Sequence, residues 1–173
     1  MRRLKPETFS AQYDVRLLNR ANVPEIFALY ASNPQYFSSC ADTAEPAHVL
    51  RDMSLLPPGK TSEEKYYAGY FLDGSLVAVL DLIDGYPDAR TAYIGFFCVH
   101  GAFSRRGIGS LILSELFACL RGEGFSTVRL GYDPKNPQAS AFWVKNGFRT
   151  VQEIPYTHPR GMQGTMAVAE RRL

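Results

Sequence analysis

Ser104-Arg105-Arg106-Gly107-Ile108-Gly109-Ser110 joins the end of a strand-like run to the start of an amphipathic helix, a junction whose composition can hold phosphate. A helix that starts inside Arg-Arg-Gly-Ile-Gly aims unpaired amide N–H groups, the positive end of its dipole and two guanidinium groups at one point. Its glycines let an anion approach the backbone closely. The same residues also suit a tight turn with no ligand. Neither G-x-x-x-x-G-K-[ST] nor a strand-led G-x-G-x-x-G is present, which removes two common phosphate-binding readings. Asp81 interrupts the apolar run Leu76 to Ile83, where an acid needs a partner or a purpose unless it faces solvent. His100 follows a strand and could titrate near neutrality, although a histidine beside a turn is often incidental. Cys98 and Cys119 lie in apolar runs with no neighbour in sequence to lower a thiol pKa, so they read as core residues rather than nucleophiles.

The elements around these residues follow from periodicity. Tyr93-Ile94-Gly95-Phe96-Phe97-Cys98-Val99 is short, β-branched and aromatic, as a buried strand requires. Ile108, Leu111, Ile112, Leu116, Cys119 and Leu120 then recur at helical spacing, and Gly122 and Gly124 supply the stop. Upstream, Tyr13 to Leu18 reads as a strand. Asn22 with Glu25 resembles a capping box opening a helix that carries Val23, Ile26, Phe27 and Tyr30 on one face and ends near Ser32-Asn33-Pro34. Pro46 to Leu55 reads as a second helix, closed by Pro57-Pro58-Gly59. Two strands, Tyr66 to Leu72 and Leu76 to Ile83, flank Asp73-Gly74, which predicts a type I′ hairpin. Asp84 to Asp88 is the next turn. Val128 to Tyr132 is a strand, Pro137 to Asn146 a helix, and two strands finish the chain near Phe148 to Ile154 and Gln163 to Ala169. The order β-α-α-β-β-β-α-β-α-β-β implies an α/β (α+β mixed) fold with one central sheet.

At 173 residues the chain suits a single core, and we expect one domain over residues 13–169 with residues 1–12 as an N-terminal extension. With 46% apolar and 21% charged residues, it is neither disordered nor of low complexity. A net charge of +2 without a dense Lys/Arg block argues against nucleic acid as a partner. No run approaches the roughly 18 apolar residues of a membrane span. The basic start is followed by Glu7, Thr8, Ser10 and Gln12 rather than by an apolar signal core. Cys40, Cys98 and Cys119 are widely spaced without a C-x-x-C pair, so neither a disulfide framework nor a zinc site is implied. A reducing cytoplasm is the expected setting.

The junction fits an R/Q-x-x-G-x-G/A-like pattern that resembles motif A of the GNAT superfamily, the acyl-coenzyme A-dependent N-acyltransferases. About thirty residues on, after the strand Val128-Arg129-Leu130-Gly131-Tyr132, Asn136-Pro137-Gln138-Ala139-Ser140-Ala141-Phe142-Trp143-Val144-Lys145-Asn146-Gly147-Phe148 is similar to that family's N-x-x-A-x-x-L-Y-x-K-x-G-F segment. The resemblance covers roughly Tyr13 to Ala169. It implies a GNAT-like fold with a central mixed, mostly antiparallel sheet, acetyl-coenzyme A (acetyl-CoA) as co-substrate and no metal. The implied activity is N-acetyl transfer to a primary amine of a small molecule or peptide. Members are often dimers, so a homodimer is compatible with the resemblance, and nothing in it calls for nucleic acid or membrane.

By the same resemblance, the cofactor pyrophosphate would rest on the amides from Arg105 through Gly107, Ile108 and Gly109 to Ser110, with the Arg105 and Arg106 side chains available to the phosphates. The pantetheine arm would pair with exposed backbone at Phe97, Cys98 and Val99. Asn136 would bind that arm, cap its own helix ahead of Pro137, or do both. A neutral amine would attack the thioester directly, with the Val99 amide stabilising the tetrahedral oxyanion.

Three positions depart from the family pattern. Ser104 stands where Gln or Arg is usual, weakening one ligand contact. Trp143 replaces a Tyr that many members use to protonate the leaving thiolate, and an indole N–H cannot do so. A thiol of pKa about 8.5 is a tolerable leaving group unaided. Trp143 would then pack near the thioester or belong to the core. Tyr93 stands where the protein-acetylating branch carries a glutamate base, and a phenol is a poor base at neutral pH. A water chain or a different residue would have to take the proton, and Asp81 is the best substitute the sequence offers. Tyr36, within Asn33 to Phe37, and Tyr156-Thr157-His158 offer aromatic walls for an amine by cation–π contact, or simple packing anchors. The reading from another class is a coenzyme A-binding regulatory module without turnover.

Overall fold

The computed structural model describes residues 3–35, 45–157 and 163–173. Seven strands share one sheet: β1 (Asp14–Leu17), β2 (Lys65–Leu72), β3 (Ser75–Ile83), β4 (Thr91–Val99), β5 (Thr127–Tyr132), β6 (Arg149–Thr157) and β7 (Gln163–Arg172). They lie in the order β1-β2-β3-β4-β5-β7-β6. Only β4 and β5 run parallel; every other neighbouring pair is antiparallel. Four α-helices are described: α1 (Val23–Ala31), α2 (Pro46–Ser54), α3 (Ile108–Gly122) and α4 (Pro137–Lys145). The mixed sheet and the element order are those the sequence predicts.

Two apolar cores sandwich the sheet. Ile112, Leu113, Leu116 and Trp143 of α3 and α4 pack on Tyr66, Ala68, Tyr70, Leu80 and Ile94. Ile26, Leu29 and Tyr30 of α1 and Val49 of α2 pack on Tyr67, Phe71, Val79 and Cys98 of the opposite face. Because β2 and β3 are covered on both sides, they are almost wholly buried and read as continuous apolar runs rather than alternating ones.

The ends of elements follow local chemistry. Asp73 (φ 49°) and Gly74 (φ 78°) both take positive φ, the requirement of the predicted type I′ turn. Helix α3 closes in a Schellman motif, with Gly124 N–H donating to Arg121 O (3.1 Å) and Phe125 N–H to Leu120 O (3.0 Å). Gly124 is the left-handed residue (φ 86°), and Gly122 is still helical.

The start of α1 differs from the expected capping box at Asn22. A 3-10 turn over Arg20–Asn22 precedes the helix, capped by Asn19, whose side chain accepts from Ala21 N–H. Asn22 is therefore already helical in backbone; its side-chain oxygen accepts from Asn19 N–H, and its amide nitrogen reaches Glu25.

Residues 1–12 were expected to lie outside the domain, yet Leu4 (2% exposed) and Phe9 (0%) sit in the α3-side core. Leu4 N–H donates to the Tyr66 hydroxyl at 2.8 Å. At the other end β7 runs to Arg172, and Leu173 N–H donates to Ser126 O.

Candidate active site

The sheet opens at its one parallel junction. β4 and β5 pair only from Thr91 with Thr127 to Ile94 with Leu130. β4 then continues along β3 as far as Val99, paired with Ala78, leaving its last residues with a free edge toward β5. A bulge marks the parting point: Leu82 faces Ile94 but Asp81 faces Phe96, so Gly95 is the extra residue.

Which backbone groups border this gap can be worked out from one bond. His100 N–H donates to Val77 O at 2.7 Å. In an antiparallel ladder the direction alternates residue by residue, so the amides of Cys98 and Phe96 face β3, and those of Phe97 and Val99 face the gap. The Val99 carbonyl points the same way and accepts from Asn33 Nδ2 at 3.1 Å.

Beyond Val99, His100 Nδ1 accepts from Ala102 N–H and caps a 3-10 turn at Gly101–Phe103, a structural use of this side chain. Ser104 is extended, Arg105 is left-handed (φ 62°), and Gly107 (φ 77°) is the N-cap of α3. Ser104, Arg105, Arg106 and Gly107 are all exposed. A Cβ added at Gly107 would meet nothing within 4 Å, whereas one at Gly109 would meet the Phe142 ring at 3.2 Å and Val99 Cγ2 at 3.4 Å. Gly109 thus seats the first turn of α3, through Ile108 and Ser110, directly against the tip of β4. The unpaired amides of that turn and the strand edge of Phe97 and Val99 are contiguous, with open space over Gly107.

Of the two roles weighed for Asn136, its Oδ1 fulfils the cap, accepting from Gln138 N–H and Ala139 N–H, both at 3.1 Å. Trp143 is 8% exposed and belongs to the α3-side core, with ring centroids 5.2 Å from Phe148, 5.0 Å from Phe142 and 6.4 Å from Phe97. Of its two expected places the structure shows the core one. Phe97 stacks on Phe142 at 6.1 Å and so carries that core to the gap.

On the α1 and α2 side, Asp81 does not face solvent. Its Oδ2 accepts from Lys65 Nζ at 2.6 Å, and Lys65 also donates to Leu55 O at 2.9 Å. Asp81 Oδ1 is buried without a hydrogen-bond partner. Burial pushes the Asp81 carboxyl up to about 6, against the pull of the Lys65 charge. A Cβ at Gly95 would come 2.6 Å from Asp81 Oδ2, so the bulge accommodates this carboxylate only because residue 95 is glycine. Beside the pair, Tyr30 donates to Asp52 Oδ2 (2.8 Å) and so receives the hydrogen bond of Tyr67 (2.7 Å). Burial raises both phenols and the Asp52 carboxyl above their ordinary values.

Tyr93 lies in the part of β4 still paired with β5, edge-on to Tyr86 at 5.5 Å, and burial raises its phenol further from the range of a base. The Cys98 thiol is buried and pushed up to about 12, as expected for a residue that is not a nucleophile. Tyr36, Phe37, Cys40 and His158 lie outside the described residues. Among the described residues no group of three or more His, Cys, Asp or Glu is arranged to hold a metal.

Two residues of the site escaped sequence reasoning. Lys65 opens β2 and reads as an ordinary strand-end cation. Asn33 reads as a helix-terminating residue before Pro34, and its amide is the only sign that it could bridge two carbonyls.

Solved structures share this fold. An acetyltransferase from Thermus thermophilus superposes with a TM-score of 0.73 at 23% identity, over 94% of this chain and 97% of that one. The ribosomal-protein-S18-alanine N-acetyltransferase from Escherichia coli gives 0.64 at 15% identity, over 92% and 93%. The PaiA N-acetyltransferase from Thermoplasma acidophilum, solved in complex with coenzyme A, gives 0.63 at 15% identity, over 93% and 99%. No curated protein matches the sequence. The sequence model of the Acetyltransferase (GNAT) family matches residues 25–148, a span that holds the gap, the loop and both flanking helices. The chain belongs to that family and is an acyltransferase.

Proposed function

We propose that this enzyme transfers an acetyl group from acetyl-CoA to a primary amine of a small molecule or peptide, by direct attack through a tetrahedral intermediate. The observation that carries the proposal is the contiguity of a donor-lined strand edge, Phe97 to Val99, with the N-terminal turn of α3 and the exposed loop Ser104 to Gly107 that leads into it. A diphosphate joined to an amide-rich arm needs those two surfaces side by side.

In this reading the amides from Arg105 to Ser110 hold the pyrophosphate, assisted by the Arg105 and Arg106 side chains and flanked by Ser104. Phe97 and Val99, on either side of Cys98, turn their backbone groups to the pantetheine arm. Asn136, its oxygen committed to the cap, offers the arm its Nδ2 donor. The Val99 N–H stabilises the oxyanion. Asp81 takes the proton of the amine: at neutral pH a carboxyl near 6 is ionised yet basic enough to serve, and Oδ1 is the uncommitted oxygen. Tyr93 stays protonated and contributes as a hydrogen-bonding group near the amine rather than as a base. Trp143 donates no proton, and the thiolate leaves unaided. Tyr36 contributes to the amine-binding wall.

No helix among the described residues is long and apolar enough to cross a membrane. The proposal places the enzyme in the cytoplasm, and a homodimer is compatible with it. Thiol release from acetyl-CoA, followed across a panel of amines and peptides, tests the activity. Release with at least one amine supports it. Coenzyme A binding with no release for any amine would favour the regulatory module instead, encouraged by Trp143 and Tyr93 at two familiar catalytic positions.

A further inference from the structure

We infer that Asn33 is a positioning residue that prepares the tip of β4 for the oxyanion, an inference that rests on the proposed role of the Val99 amide. Asn33 Nδ2 carries two hydrogens, and its shortest bonds go to two carbonyls: Leu29 O at 3.0 Å and Val99 O at 3.1 Å. Its approaches to Ser32 Oγ (3.2 Å) and Cys98 Sγ (3.4 Å) are longer.

The Val99 carbonyl lies on the gap side, where β5 would have provided an N–H had the strands stayed paired beyond Ile94 and Leu130. Asn33 fills that vacancy from α1. The peptide after Val99 is then pinned at both ends, by His100 N–H on Val77 O and by Asn33 on Val99 O. The electrostatic result is asymmetric. With its carbonyl already accepting from Asn33, Val99 presents the gap with a donor and a partly engaged acceptor, and an oxyanion beside it is attracted by the N–H and repelled less by the carbonyl oxygen.

The join between α1 and the β4 loop is rigid. Ser32 Oγ accepts from Gly101 N–H at 2.8 Å, and a Cβ on Gly101 would fall 2.1 Å from Ser32 O. Only a side chain with two N–H donors on one atom can serve Leu29 and Val99 together. A carboxylate at position 33 would instead face both carbonyl oxygens.

The test uses the full chain with Asn33→Ala and Asn33→Asp, and three readouts. The infrared carbonyl stretch of bound 13C-acetyl-CoA should lie below that of the free thioester in the wild type and return toward it in Asn33→Ala. The kcat for thiol release should fall about tenfold to a hundredfold, less than the 10²–10³ typical of deleting an oxyanion donor outright. The dissociation constant of coenzyme A should stay within about threefold, because the phosphate loop is untouched. The kcat of Asn33→Asp relative to wild type at the same pH should rise as pH falls, since a protonated carboxyl regains one donor; the ratio cancels the acid limb that both proteins share through Asp81, and the neighbouring Cys98 thiol, pushed up to about 12, does not titrate in that range.

A folded Asn33→Ala with unchanged carbonyl band and kcat overturns the inference, and so does a kcat loss matched by an equal loss of coenzyme A affinity. Should the alanine variant not fold, the ratio of Asn33→Asp to wild-type kcat at two pH values makes the same decision: a ratio that rises at the lower pH supports the inference, and an unchanged ratio overturns it. The infrared measurement needs no acceptor amine, so failure to find a substrate does not touch it. A wild type that binds no coenzyme A removes the proposed function, and this inference with it.

Discussion

Lys65 Nζ lies 2.6 Å from Asp81 Oδ2, and the two side chains are only 5% and 9% exposed. A buried pair of this kind is weak evidence for stability, because desolvating two charges offsets much of their attraction. Breaking it is costly all the same. Lys65→Met should lower the unfolding free energy by about 3–5 kcal/mol, the usual penalty for leaving one buried charge unpaired. Urea denaturation of the two proteins measures it, and a loss below about 1 kcal/mol would mean that Asp81 discards its charge at little expense.

Asp81→Asn should lower kcat at saturating acetyl-CoA. In the wild type the base form requires ionised Asp81, so activity should fall as pH drops through about 6, and this acid limb should vanish in the variant. The linked effect on folding has the opposite sense. The carboxyl is raised to about 6 in the folded protein, so between the unfolded value near 4 and that value the folded state binds the extra proton. The contribution of Asp81 to stability is therefore largest at low pH and declines as pH climbs through this window. A pH–rate profile with and without the substitution, alongside thermal melts of both proteins, checks the two signs.

Gly107 and Gly109 should separate binding from folding. Gly107 has open space but positive φ, so Gly107→Val costs backbone strain of about 1–2 kcal/mol and puts a branched side chain where an anion would sit. Coenzyme A affinity should drop more than tenfold in a protein that still folds. Gly109→Leu would drive atoms into Phe142 and Val99, so its melting temperature should fall as well. Titration calorimetry on both variants decides; undiminished affinity in Gly107→Val would rule out the phosphate loop.

Trp143 should matter to the core and little to proton transfer. Trp143→Ala should cost about 3–5 kcal/mol, as large-to-small changes of aromatic core residues do. Trp143→Phe, which keeps an aromatic ring while removing the pyrrole part of the indole and its N–H, a group that cannot act as the acid, should hold kcat within about threefold. A much larger loss of kcat in a stable phenylalanine variant would give the indole a chemical role.

Cys98 should resist alkylation in the native protein, because its thiol is buried and pushed up to about 12. Mass spectrometry after iodoacetamide at pH 8 reads this directly, and Cys98→Ala should transfer acetyl groups at close to the wild-type rate. Rapid labelling of Cys98, or an inactive alanine variant, would reopen the covalent route.

The elements that set the fold were legible because each is announced locally. Asp73-Gly74 can hardly avoid a type I′ hairpin, and the apolar spacing from Ile108 to Leu120 can hardly avoid a helix. The fate of Asp81 was not legible, for a reason of register. From the turn alone, Leu72 opposes Ser75 and Asp81 would oppose Tyr66, which puts Lys65 on the other face. The structure has an extra residue at Val77, between the pairs Phe71 with Leu76 and Tyr70 with Ala78. That one-residue slip sets Asp81 opposite Tyr67 and brings Lys65 to its own face. Bulges carry no strong sequence signature, and neither does the 3-10 turn that displaces the cap of α1. Leu4 and Phe9 give no signal in the sequence, because two large apolar residues in a polar segment have no period, yet each fills a place in the core.

Gly95 decides more than room for a carboxylate. In an uninterrupted strand, Phe96 and Phe97 would trade sides, the first turning toward Phe142 and Trp143 and the second toward Tyr30. The peptide hydrogens would trade with them, so that Phe96 and Cys98 bordered the opening in place of Phe97 and Val99. A single supernumerary glycine thus sets the polarity of the cleft's lip, and evolution or design could rewire this enzyme's donor array by moving one backbone irregularity without altering any side chain that touches a ligand.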